Sequence, residues 1–243
     1  MAETSSELVE ALTALGKVLL TDHVLNGDLQ RIVTVAERSI PGCDGASIAL
    51  AFEGRARTRA ATDKVVLELD LAQYESGEGP CLQALREARP VRLDLIDQDT
   101  GFQPFAERAA EAGVRSSLSL PLIVDDEAVG TLNLYSYAET AFDATSQSLA
   151  AVMAAQAGAA IAKSRLLAAG RRAAEVAQRS ADDRADVGIA EGMLMAIEQC
   201  TARQAAALLK NAATSEEQTL AAMARRIIAQ VESQPDSSQQ AES

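Results

Sequence analysis

Leu8, Leu12, Leu15 and Leu19 recur at helical spacing, which predicts a helix over Glu7 to Leu20. Leu29, Ile32, Val33 and Ala36 repeat the pattern, so a second helix is expected from Asp28 to Arg38, ended by Pro41 and Gly42. The period then shortens. In "ASIALAF" Ile48, Leu50 and Phe52 alternate with small residues, a strand signal; Glu53 turns the chain and "RARTRAA" returns as its partner. "VVLELDLAQY" fits both periods, because Val65, Leu67, Leu69 and Leu71 alternate while a helical stripe is also available. "ESGEGP" reads as a loop, "CLQALREARP" as a short helix ended by Pro90, and "VRLDLI" as a short strand. "FQPFAERAAEAG" reads as a helix ended at Gly113. "VRSSLSLPLIV" and "EAVGTLNLYSY" are two strands joined by the acidic turn Asp125–Asp126.

The rest of the pattern is helical. A long helix is expected from Thr145 to about Ala177, its stretch from Leu149 to Ile161 packing on the sheet. Its small residues suit close helix packing and a dimeric coiled coil. Three shorter helices follow. The first spans about Ala181 to Gln199 and uses Val187, Ile189, Ala190, Leu194 and Ile197. Thr201 caps the second, with Gln204 completing a capping box before Ala205, Leu208, Leu209 and Ala212. Ser215, with Gln218, is expected to cap the third, whose face is Leu220, Met223, Ala224, Ile227 and Ile228. Gly192 sits inside the first of these helices, where glycine costs about 1 kcal/mol relative to alanine. Its presence predicts the close approach of another backbone.

Helices flanking an antiparallel sheet, then helices alone, give an α+β first domain and an all-helical second one. The expected division is 1–162 for the sensor-like domain, 163–181 for a linker helix, 182–233 for a three-helix bundle and 234–243 for a disordered tail.

Composition narrows the chemistry. The chain has 243 residues, 48% of them hydrophobic but only 3% aromatic, so alanine and leucine must fill the core. Its formal charge of -13 repels nucleic acid at long range, so the location of charge matters more than its total. Up to Ala162 there are 12 basic and 24 acidic residues; from Lys163 to Arg179 there are five basic and one acidic. From Arg184 to Ser233 the balance is five basic to six acidic. Cys43, Cys81 and Cys200 lie far apart and His23 is the only histidine, which disfavours a zinc site, a Ser-His-Asp triad and a Cys-His nucleophile pair. These cysteines fit a reduced, cytoplasmic setting. The acidic N-terminus has no apolar signal core, and "LAAVMAAQAGAAIA" is too short and interrupted to span a membrane.

"RADVGIAEGMLMAIEQCTARQAAALLKNAATSEEQTLAAMARRII" resembles an ANTAR domain, the three-helix RNA-binding module of bacterial antitermination regulators. The resemblance rests on Arg184, Ala190, Gly192, Met193, Leu194, Met195, Ala205, Leu209, Lys210, Leu220, Met223 and Ala224 in order and spacing. The chain departs from the family at Glu191, where lysine is usual, at Lys210, where arginine is usual, and at Glu217, Thr219 and Ala221, where asparagine and basic residues are common. Lysine keeps the charge but loses the guanidinium fork. "AQYESGEGPCLQAL" with "PVRLDL", "PFAERAAEAGVRSSLSLPL" and the strands after it resembles a GAF domain, over about Leu8 to Ala162.

The resemblance implies a transcription antitermination regulator, not an enzyme. A GAF domain would sense a small-molecule or redox signal, and paired ANTAR modules in a homodimer would bind RNA stem-loops. Arg184, Arg203, Lys210, Arg225 and Arg226 are the expected RNA contacts. Gly77, Glu78, Gly79 and Cys81 are the expected ligand site. Gly77 and Gly79 allow a tight loop and Pro80 can start the helix carrying Cys81. There Cys81 is either a thiol activated at a helix N-terminus or a small buried hydrophobe. Arg55, Arg57 and Arg59 alternate on a strand and either hold an anion or form a solvated face. No metal and no haem or chromophore ligand is apparent, and the residues identify no particular cofactor. The alternative function is a dimeric ligand-sensing protein whose diverged ANTAR module binds a protein partner, for which Glu191 and Glu217 argue.

Overall fold

The computed structural model describes residues 25–96 and 101–233. The helix expected over Glu7 to Leu20, His23 and the tail 234–243 lie outside the described residues. The described chain divides into two compact units that part between Leu166 and Leu167.

In the first unit, α1 (Leu25–Ser39) precedes the hairpin β1 (Gly45–Phe52) and β2 (Arg55–Ala61). Next come α2 (Lys64–Ser76), α3 (Pro80–Glu87), β3 (Val91–Leu93), α4 (Gln103–Ala112), β4 (Ser116–Val124) and β5 (Glu127–Ser136). The five strands form one antiparallel sheet in the order β2-β1-β5-β4-β3. On one face Ile48, Leu118, Leu120, Leu122, Leu132 and Leu134 pack against Leu29, Ile32 and Val33 of α1. Ala150, Met153, Ala157 and Ile161, at the start of α5 (Ala144–Glu198), join them as expected. Gly158 lets that helix lie flat on the sheet: a Cβ there would stand 2.7 Å from the Ile123 carbonyl oxygen.

α2 settles the ambiguity of "VVLELDLAQY". Its buried stripe is Val66, Leu69, Asp70 and Gln73, at helical spacing, whereas Leu67 and Leu71 are exposed. Two of the four inward residues are polar, which hid the helical period. Asp63 fixes the start by accepting from the Val66 N–H at 2.9 Å. At the end of α4, Gly113 is left-handed and Val114 N–H reaches back to Ala109, so the helix stops where glycine was expected to stop it.

The second unit comprises the later part of α5, α6 (Ala202–Ser215) and α7 (Leu220–Glu232). Ala190, Leu209, Ala213, Met223 and Ala224 form its small core. Four expectations are corrected. The long helix and the first helix of the bundle are one element of 55 residues, because nothing between Ala177 and Ala181 breaks the backbone ladder. Thr219, not Ser215, caps α7, accepting from the Ala222 N–H at 3.2 Å; the Ser215 hydroxyl instead donates to Ala212 within α6. Among the described residues nothing beyond its own helix lies within 4 Å of a Cβ built on Gly192, so no described backbone passes there. Ile189, Ile197, Leu208 and Leu220, expected on core faces, are 40–57% exposed.

Among the described residues, no helix is long and apolar enough to cross a membrane.

Candidate functional site

Strand pleating sends alternate residues to opposite faces. Serines alternate with leucines in β4, so the sheet has a second face as polar as the first is apolar. Strand register sets Ser47, Asn133 and Ser119 side by side across β1, β5 and β4, with Tyr135 beside Ser117 in the next row. All five are fully buried. The helices α2, α3 and α4 cover this face, with Val66, Leu69, Phe105 and Ala109 packed around Tyr135.

Asp70 organises the face. It is fully buried and receives hydrogen bonds from Thr58 (2.7 Å), Tyr135 (2.7 Å) and Asn133 Nδ2 (3.4 Å). Burial raises its pKa above the usual carboxylate value, partly opposed by these hydrogen bonds. Burial, with the charge of Asp70 second, also pushes the Tyr135 and Tyr74 phenols up. The Tyr74 hydroxyl joins through Thr58 at 2.8 Å. Ser117 Oγ, Ser119 Oγ and Asn133 Oδ1 are buried with no hydrogen-bond partner among the described residues. Unsatisfied buried polar atoms are rare in native folds, and three on one face make it a place for water or a polar ligand.

The "GEGPC" loop meets this face. Gln73 spans it: its Oε1 accepts from Cys81 N–H at 2.9 Å and its Nε2 donates to Tyr135 at 3.3 Å. Gly79 has φ +154°, and a Cβ there would collide with the Gln73 side chain. Cys81 is fully buried, 3.0 Å from Thr131 Oγ1. Burial, then the nearby Asp70, pushes its thiol up to about 12. The reading of Cys81 as an activated thiol is therefore corrected: desolvation outweighs the helix N-terminus. Gly77 and Glu78 are exposed, whereas Gly79 and Cys81 face inward. Arg55, Arg57 and Arg59 are exposed on β2, as in the solvated-face reading.

In the second unit all five expected RNA contacts are exposed. Arg203 and Lys210 lie on α6, Arg184 on α5, and no ion pair to these three is found among the described residues. Arg225 is paired with Asp183 (2.8 Å) and Asp186 (3.2 Å), and Arg226 with Glu216.

The GAF-domain family profile matches residues 28–162, more than half of the chain, and the ANTAR-domain profile matches residues 175–228. The chain is a GAF–ANTAR protein. Solved structures similar to this GAF–ANTAR protein include the GAF domain of a phosphoenolpyruvate-protein phosphotransferase from Coxiella burnetii. That match has 19% identity and a TM-score of 0.53, and covers 68% of this chain and 98% of the other. Free methionine-R-sulfoxide reductase from Neisseria meningitidis, solved with its substrate, is similar at 17% identity and TM-score 0.53, over 66% and 91% of the two chains. At these identities the likeness shows the fold alone. No curated protein matched the sequence.

Of the expected ligand residues, Cys81 and Gly79 reach the polar face of the GAF unit. Sequence reasoning missed Asp70, Gln73, Asn133 and Tyr135. The available signal was polar residues at inward helical positions of α2 and the Ser-Leu alternation in β4, which by itself reads as solvent-facing polarity.

Proposed function

We propose that this GAF–ANTAR protein is a cytoplasmic regulator of transcription antitermination, not an enzyme. Its GAF unit senses a small polar molecule at the buried face around Asp70, Asn133 and Ser119. Its ANTAR unit binds structured RNA. The observation that carries the RNA reading is the ANTAR match together with Arg184, Arg203 and Lys210, exposed and outside the ion pairs of the described residues. Proteins read RNA sequence mainly in unstacked loops, so a hairpin loop is the natural target.

A homodimer through α5 is part of the proposal. Residues 171–182 of that helix are exposed all round, with Val176 60% exposed, and a helix of this kind gains stability from a partner.

The test is binding of a paired-hairpin RNA at defined salt. Binding that weakens steeply with salt, and weakens further in Arg203→Ala/Lys210→Ala, supports the reading. No binding even at low salt sinks it in favour of a protein partner, for which the exposed Ile189, Ile197 and Leu208 would then provide contacts.

A further inference from the structure

Arg225 and Arg226 are neighbours on α7, yet each is already held by acids of its own unit. Arg225 reaches back to Asp183 and Asp186, one turn apart on α5. Arg226 turns to the α6–α7 connection, where both oxygens of Glu216 accept from its two terminal nitrogens. That is the two-pronged geometry with which a guanidinium also holds a phosphate. Glu216 is held in place by its backbone: its N–H donates to Ala212 and the next residue, Glu217, is left-handed. The two cations face three carboxylates, so this corner carries one net negative charge where Arg225 and Arg226 alone would give two positive ones. All of these side chains are at least partly exposed, so the pairs are weak and exchangeable.

We propose that Asp183, Asp186 and Glu216 are intramolecular stand-ins for phosphate, which RNA must displace to reach Arg225 and Arg226. This rests on the RNA-binding reading and adds its regulation. The acids set a threshold: a polyanion that offers scattered phosphates exchanges one pair for another and gains little. An RNA that also engages Arg184, Arg203 and Lys210 takes the exchange as part of a larger contact. The affinity of the unit is therefore held down by three named side chains rather than by the overall acidity of the chain.

The experiment measures binding of the full-length protein to a fluorescent paired-hairpin RNA across a salt series. One variant is Asp183→Asn/Asp186→Asn/Glu216→Gln. A control, Glu175→Gln/Glu198→Gln/Glu232→Gln, changes the net charge equally at acids with no ion pair among the described residues. Circular dichroism confirms that each is folded. With two arginines released, the first variant should bind about 10-fold tighter near 0.1 M salt, with a log–log salt slope steeper by roughly 1.5. The control should gain less than about 3-fold, as expected for long-range charge alone. Adding Arg225→Ala/Arg226→Ala should erase the gain. Equal gains in both variants, or a gain that survives loss of the arginines, overturns the proposal while leaving RNA binding standing. An RNA bound by none of the proteins overturns both.

Discussion

Asp70 is the residue on which the GAF interior turns. Its folded pKa is raised above the ordinary value of 3.8, so between the two values the native state binds more protons than the unfolded one. The stability it contributes is fully present below about pH 3.8 and is lost as pH rises through the raised folded value. Asp70→Asn removes that titration. Chemical denaturation of both proteins across pH should show the wild type losing stability relative to the variant as pH climbs from about 4. A difference that is flat with pH would contradict the burial argument. Gly79 is the second decisive residue. Alanine there meets both the positive φ and the Gln73 amide that bridges Cys81 to Tyr135. Gly79→Ala should cost about 1–3 kcal/mol, read from the shift of the denaturation midpoint.

At the scale of elements, two glycines in α5 have opposite meanings. Gly158 touches the sheet, and alanine there would press a methyl on the Ile123 carbonyl. Gly158→Ala should destabilise the first unit by roughly 1–3 kcal/mol through overpacking. Gly192 faces open space among the described residues, so Gly192→Ala should stabilise the second unit by about 1 kcal/mol through helix propensity. A loss of stability at Gly192 that grows with protein concentration would instead place a second chain against it. The cap of α7 offers a second contrast. Thr219→Ala should lower stability by about 1 kcal/mol, whereas Ser215→Ala, which leaves the N–H of Ala222 satisfied, should change it far less.

At the scale of the whole molecule, charge and exposure divide between the units. The acidic first 162 residues repel polyanions, and the cations from Lys163 onward are what RNA could meet. If α5 pairs with a second copy, sedimentation should give twice the chain mass, and Val176→Glu should shift the equilibrium to monomer by placing two like charges at the seam. The expected result is a concentration-dependent dimer in the wild type and none in the variant at the same loading. A monomer at every concentration would remove the coiled coil from the proposed function.

Periodicity along the chain was enough to place the sheet and most helices, because buried stripes in β1, β4, β5, α1 and α4 repeat at the spacing of their own element. Loop chemistry at Gly113 and Thr201 was equally local and equally legible. The tertiary structure alone decided that the serine face of β4 is buried, since alternation shows which side chains share a face but not what covers it. It alone made Asp70 part of a core, because a carboxylate in an inward stripe breaks the apolar pattern by which such stripes are found. The state of Cys81 was decided there too: a helix N-terminus favours a thiolate, but burial, with the charge of Asp70 second, raises the thiol against the opposing hydrogen bond from Thr131. Arg225 and Arg226 follow the same rule. Their charge is written in the sequence, while the acids that hold them come from α5 and from the α6–α7 connection, and only folding brings those together.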